Sequence, residues 1–180
     1  MENNNIVFLR KILLSDNVSE SINQNLEQLL ELIPEIKHMI GFEHNHPHHH
    51  LDVWNHVLLA LENSENDFEI RLTLLLHDIG KPFSHQDEEV RHFKGHATMS
   101  SIMALFILQR IKFDPELIKR IDYLIKYHDE PILTSEINDN NRNLEIKRLK
   151  VQYADAKAHA PDKVEKRILL LDKIANEIIL

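Results

Sequence analysis

Residues 68–82 read Phe-Glu-Ile-Arg-Leu-Thr-Leu-Leu-Leu-His-Asp-Ile-Gly-Lys-Pro. Leu72, Leu74, Leu75 and Leu76 make residues 69–78 apolar nearly all round. A helix of that kind belongs at the centre of a fold, covered on every side. Asp67 offers an N-cap at one end, and Gly80-Lys81-Pro82 carries a termination signal at the other. A central helix needs a jacket of amphipathic ones, and the rest of the chain has the periodicity to supply it.

Helices are expected at residues 6–15 and 19–33, the second with an apolar stripe of Ile22, Leu26, Leu29, Leu30 and Ile33. Pro34 starts a further turn carrying Ile36, Met39 and Ile40, which Gly41 ends. After a polar loop at 43–50, Asp52 caps a helix at 53–64. A loop at 83–94 leads to a helix at 96–111 containing the small residues Ala97, Ser100, Ser101 and Ala104. Asp114-Pro115 opens a helix at 116–127, and helices at 144–159 and 161–180 complete the chain. Three glycines and six prolines in 180 residues leave little material for the tight turns of a β fold. No repeat or linker divides the sequence. The expectation is one all-α domain, a single helical bundle spanning 1–180. Helices within 1–40 pack on a core at 52–160, and 161–180 adds a C-terminal helix.

Cysteine is absent, which excludes disulfides, thiolate zinc sites and a cysteine nucleophile. No apolar run approaches the length of a membrane span and the first residues lack signal-peptide character, so the expectation is a cytoplasmic protein with no membrane partner. A net charge of −8 disfavours broad nucleic-acid binding, although a metal can invert the field locally and admit a phosphate.

Thirteen histidines stand out, and their positions matter more than their number. His56 falls mid-helix among apolar neighbours. His77 and Asp78 close the most apolar helix, His96 opens the helix of small residues, and His128 closes the one before Pro131. Asp155 is flanked by Ala154, Ala156 and Ala158. Taken singly, each has an ordinary explanation: a satisfied core histidine, Asp78 paired with Lys81, Asp155 paired with Lys147 or Arg148. Together they need a common compensation, because buried carboxylates and imidazoles cost several kcal/mol when unpaired (roughly, in a low-dielectric interior). One or two divalent ions would satisfy all six. Mixed imidazole and carboxylate donors suit Mn, Fe, Co, Ni or Zn, with Mg possible, rather than Ca.

The motif HDIGKP at 77–82 resembles the signature of the HD superfamily of metal-dependent phosphohydrolases. In that family an upstream His, a His-Asp pair and a distant Asp hold the metal; His56, His77, Asp78 and Asp155 stand in that order. The segments HNHPHHHLDVWNHVLLAL, LLLHDIGKP, HFKGHATMSS, YHDEP and YADAKAHAP resemble the HD region of bacterial tRNA nucleotidyltransferases over residues 29–161. The resemblance lacks the nucleotidyltransferase head, so nucleotide addition is not expected. In two-metal members two intervening histidines serve a second ion, the places of His96 and His128 here; in one-metal members they face the phosphate.

The resemblance implies a phosphomonoesterase or 2′,3′-cyclic phosphodiesterase acting on a nucleotide or another small phosphate ester through a metal-bound hydroxide. Asp78 is expected to bridge ions or accept the proton of the attacking water, and Lys81 to reach the phosphate as a point charge. His50, His92 and Lys94 are candidates for substrate contact. The remaining histidines of the 44–50 cluster (His44, His46, His48 and His49) read as a solvated loop with casual metal affinity, and the basic stretches 142–150 and 163–167 as solvated helix faces. Two alternatives come from other classes. One is a non-catalytic, metal-stabilised RNA-binding or regulatory module derived from a tRNA nucleotidyltransferase. The other is a di-iron oxygenase on the same scaffold. The sequence names neither the substrate nor the oligomeric state.

Overall fold

The computed structural model describes residues 3–47, 49–86 and 91–178. Asn3 accepts a hydrogen bond from the Asn5 amide and starts α1 (Asn4–Leu13), which buries Leu9, Ile12 and Leu13. The expected helix at 19–33 is two helices, α2 (Val18–Gln24) and α3 (Leu26–Leu32), with Asn25 between them outside helical geometry at φ −116°. The Asn25 side chain donates to the Ser21 carbonyl, a local bond that competes with the helix ladder. A 3-10 turn, Pro34–His38, follows and buries Ile36.

Asp52 caps α4 (Val53–Glu62) and Asp67 caps α5 (Phe68–Leu76), each accepting from the amide three residues on. All of α5 except Glu69 is buried. Each buried leucine contributes about 1.5–3 kcal/mol, so this helix anchors the core. Even Arg71 is inside, where it donates to the carbonyls of Leu13 and Ser15 and ties the end of α1 to the centre.

Helix α5 ends at Leu76, so His77 and Asp78 lie in the turn just beyond it rather than in its last turn. Lys81-Pro82, expected to terminate the helix and lead into a loop, instead opens the short α6 (Lys81–Ser84), Pro82 being tolerated in a first turn that needs no amide from it. Next come α7 (His96–Ile111) and α8 (Pro115–Lys126), joined by a tight turn and packed side by side. Asp114 caps α8 with hydrogen bonds from Glu116 and Leu117. A second 3-10 turn, Thr134–Glu136, precedes α9 (Arg142–Lys157), which starts two residues earlier than expected, and α10 (Pro161–Ile178).

Helices α4, α5, α8 and α9 surround the centre, while α1, α2 and α3 cover one side. Leu149 and Ala156 of α9 join Ile132 and the α10 residues Leu171 and Ile178 in a second apolar cluster, which seats α10 against α9. The described residues form no strand, only the isolated bridges Glu43–Asp52 and Gln86–His92. None of their helices is long and apolar enough to cross a membrane.

Candidate metal centre

Five stretches of chain converge on Asp78: the middle of α4, the turn after α5, the start of α7, the turn after α8 and the last turn of α9. The four histidines they bring share one device. His56 Nδ1 donates to the Ala158 carbonyl at 3.2 Å, His77 Nδ1 to Leu74 at 2.7 Å, His96 Nδ1 to Phe93 at 2.9 Å and His128 Nδ1 to Ile125 at 2.6 Å. A carbonyl can only accept, so in a neutral ring these bonds put the hydrogen on Nδ1 and free the inward-pointing Nε2 for an ion, as metal-ligating histidines are commonly fixed.

The Nε2 atoms sort onto the two oxygens of Asp78. Oδ2 lies 3.3 Å from His77 Nε2 and 3.6 Å from His56 Nε2, and Oδ1 lies 3.4 Å from His96 Nε2 and 4.0 Å from His128 Nε2. Asp155 Oδ1 closes the first group, 2.8 Å from His56 Nε2 and 3.4 Å from His77 Nε2. Asp129 Oδ2 closes the second, 3.1 Å from His96 Nε2 and 3.6 Å from His128 Nε2.

Asp78, His77 and His56 are buried, yet His77 Nε2 and both Asp78 oxygens make no hydrogen bond. The Lys81 ammonium, 2.7 Å from Asp78 Oδ2, is an ion-pair neighbour. Buried polar atoms left so cost about 1–3 kcal/mol each, and a divalent ion removes that cost. The residues fit such an ion, with donors on both sides of Asp78 for one or for two.

The buried carboxylates and imidazoles shift one another strongly, and an ion that binds here displaces the protons of His77 and His96. Burial alone would raise Asp78, but His77 and Lys81 outweigh it and hold the carboxyl well below its usual range. Burial likewise opposes ionisation of Asp155, and His159 and His56 reverse it. Burial disfavours the charged form of His77, yet the facing Asp78 and Asp155 push it up to about 10. His96 is raised in the same manner, against burial, by Asp129 and Asp78. Burial keeps His128, His49 and His159 below the ordinary imidazole range, hence neutral, which is the form that binds metal.

Above Asp78 opens a cavity of about 550 Å³, lined among others by Lys81, Arg91, His92, Lys94, Lys126 and Asp155. His92 and Lys94 are exposed at its rim. His50 is exposed and is not among the lining residues; His46 and His49 of the same loop line the cavity instead. His44 is not solvated, being 1% exposed, with Nδ1 donating to the Leu51 carbonyl and Nε2 3.1 Å from Lys81 Nζ. His48 lies outside the described residues. Lys81 is not a solvated lysine either, held at 5% exposure between Asp78 and His44.

Two further residues of the site were not singled out from sequence. Asp129 follows His128 directly, and His159 follows Asp155 by one helical turn; those adjacencies were the available signals. The stretch 142–150 is not a plain solvated face. Arg148 is buried, pairs with Glu145 and donates to the carbonyls of Tyr127, Glu130 and Pro131. It thereby fixes the turn that carries His128 and Asp129. Asp155 pairs with neither Lys147 nor Arg148, since Lys147 reaches Asp67 and Glu69.

The HD domain family profile matches residues 48–177. The CC-adding tRNA nucleotidyltransferase of Thermus thermophilus is 34% identical over 104 residues, 53% of this chain and 24% of that protein. The A-adding tRNA nucleotidyltransferase of Deinococcus radiodurans is 35% identical over 109 residues, 56% of this chain and 25% of its own length. The multifunctional CCA protein of Nitrosomonas europaea is 28% identical over 92 residues, 49% of this chain and 22% of its own. The matched segment therefore spans only about a quarter of each relative. With His56, the His77-Asp78 pair and Asp155 converging in the order that marks the family, and the profile covering most of the sequence, the chain belongs to the HD domain family, within the superfamily of metal-dependent phosphohydrolases.

Proposed function

We propose that this chain hydrolyses nucleotides or small phosphate esters, as a phosphomonoesterase or a 2′,3′-cyclic phosphodiesterase. His56, His77, Asp78, Asp155, His96 and His128 hold one or two divalent transition-metal ions in this reading. The observation that carries it is Asp78, a buried carboxylate with no hydrogen bond to either oxygen and a pair of imidazoles facing each. It forms the floor of a cavity bordered by Lys81, Arg91, Lys94 and Lys126. A divalent ion supplies Lewis acidity there, lowering the pKa of a water and polarising a phosphoryl oxygen.

The chain's own groups do the rest. Lys81 holds a phosphoryl oxygen beside Asp78, and Lys94 and His92 receive the outer part of the substrate at the rim. Asp129, which lines the cavity beside His96, can accept the proton that the attacking water gives up. The likeness to the HD region of tRNA nucleotidyltransferases favours 2′-nucleotides and 2′,3′-cyclic phosphates as substrates. The protein would act in the cytoplasm on a small phosphorylated molecule, without a membrane partner.

The names of the relatives support a second reading, a non-catalytic, metal-stabilised module that binds RNA. Purified protein with its metal identified by elemental analysis, assayed on generic phosphomonoesters, phosphodiesters and 2′,3′-cyclic nucleotides with added Mn, Ni or Co, separates the two. Turnover that Asp78→Ala abolishes in a folded variant is expected. Absence of turnover with every metal rejects the hydrolase, and tRNA binding under those conditions supports the second reading.

A further inference from the structure

The carboxylates and histidines around Asp78 leave two neighbouring imidazoles without an assignment, His49 and His159. The His49 ring stacks on His44 with centroids 3.8 Å apart and planes within 6°. It stands 4.7 Å from the His159 ring and 5.0 Å from the His56 ring. Its Nδ1 is closed off from solvent and has no hydrogen-bond partner. His159 is delivered by the end of α9, one turn beyond Asp155, with its ring 5.4 Å from that of His56.

The ligand nitrogens of His49, His56 and His159 all lie within 4.8 Å of one another, a closeness also met by the donors of His56, His77 and Asp155. His56 belongs to both groups, and its Nδ1 is committed to the Ala158 carbonyl. One residue, His56, is thus common to a carboxylate-containing set and an all-imidazole set. His49 and His159 both line the cavity.

We propose that His49 and His159 are further ligands of the ion held at His56, capping it from the cavity side. The cap rests on the metal-centre reading above and adds to it. It gives the orphaned His49 Nδ1 a partner, and it explains why an otherwise polar loop turns His49 inward. It also raises the imidazole share of the ligand set, which favours Ni, Zn or Co over Mg at this position.

Chelator competition for Ni and Zn tests the cap on the full chain, on His49→Gln, His159→Gln and the double variant, and on Asp78→Ala as a reference, with circular dichroism reporting the fold. Each single substitution is expected to weaken metal binding by roughly tenfold or more, at least the scale on which outer partners of metal ligands act. X-ray absorption on the unsubstituted, Ni-loaded chain gives a readout that does not depend on any variant folding. Without the cap the ion or ions carry on average about two imidazoles each, and with it about three or more. Unchanged affinity in both single variants, or an average of about two imidazoles in the unsubstituted chain, overturns the cap and leaves the centre at His56, His77, Asp78 and Asp155 standing. Failure of the unsubstituted chain to bind metal overturns both.

Discussion

Lys81 shows how one side chain joins the metal centre to the cavity. Its ammonium, buried at 5% exposure, lies 2.7 Å from Asp78 and 3.1 Å from His44 Nε2. That contact requires a neutral His44, and burial together with Lys81 pushes the imidazole down to about 3. Lys81→Met keeps the chain length and removes the charge. It should leave metal content intact and lower turnover of a phosphate ester by about 100-fold, the scale of losing one preorganised charge-stabilising donor. Lys81→Arg should not restore activity, because a planar guanidinium does not fit a slot built for a point charge. Elemental analysis beside kcat/KM measurements decides; wild-type turnover in Lys81→Met would reduce Lys81 to a structural counter-ion. At this scale the sequence displays His56, His77, Asp78 and Asp155 because each interrupts an apolar pattern. His44 and His49 are hidden by their setting, since a run of histidines in a polar loop has no periodicity and their burial depends on the distant Lys81 and His56. Arg148 is hidden for a related reason. Interleaved glutamates look like a solvated face, and the carbonyls it caps belong to another helix's end.

Between elements the tightest joint is Gly80. A Cβ built there would meet the Ser100 amide nitrogen at 2.5 Å, the His96 carbonyl oxygen at 2.9 Å and the Met99 carbonyl carbon at 2.9 Å. All three are backbone, so the turn carrying Asp78 and the first turn of α7 carrying His96 would have to part. Gly80→Ala should destabilise the protein by about 1–3 kcal/mol, as overpacking does, and weaken metal binding at the His96 side. Urea unfolding and metal titration of one sample read both effects. The sequence marks Gly80 only as a helix stop, because a close approach between elements has no local signature. The break at Asn25 is equally silent: the apolar stripe continues from Ile22 to Leu26 and Leu29, although the backbone does not stay helical. The caps Asp52 and Asp67 were legible because capping is local. Asp67 also anchors α9, since Lys147 reaches Asp67 at 3.1 Å and Glu69 at 3.0 Å. Burial tends to raise both carboxyls, but the Ile70 amide and Lys147 at Asp67, and Arg120 and Lys147 at Glu69, bring them below 3.8 and 4.5. A lowered carboxylate stabilises the fold above its unfolded pKa and loses that contribution as pH falls through the folded one. Lys147→Met should therefore cost about 0.5–1 kcal/mol near neutrality, discounted for solvent screening, with the deficit fading below pH ~3. Urea titrations at the two pH values check it; an equal deficit at both would assign the loss to packing of the lysine stem.

Across the whole molecule the metal centre is a staple between segments far apart in sequence. His56 on α4 meets Asp155 on α9, while His96 on α7 meets His128 after α8. His56 Nε2 faces Asp155 Oδ1 at 2.8 Å and His96 Nε2 faces His128 Nε2 at 3.2 Å, so the donors of an ion come from segments far apart in sequence. An ion that binds the folded chain and not the unfolded one adds about 2.7 kcal/mol at a hundredfold excess over its Kd. For a domain of this size about 1 kcal/mol moves Tm by roughly 2–4 °C, so saturation should raise Tm by about 5–10 °C and EDTA should reverse it. Asp155→Asn should remove most of that shift, because its Oδ1 touches both His56 and His77. Lys147→Met, whose ion pairs lie at the far end of α9, should keep the shift from a lower starting Tm. Scanning calorimetry with and without the ion distinguishes the two. A shift that survives Asp155→Asn would mean that the binding energy is delivered elsewhere, since no unfolded chain brings His56, His77 and Asp155 together.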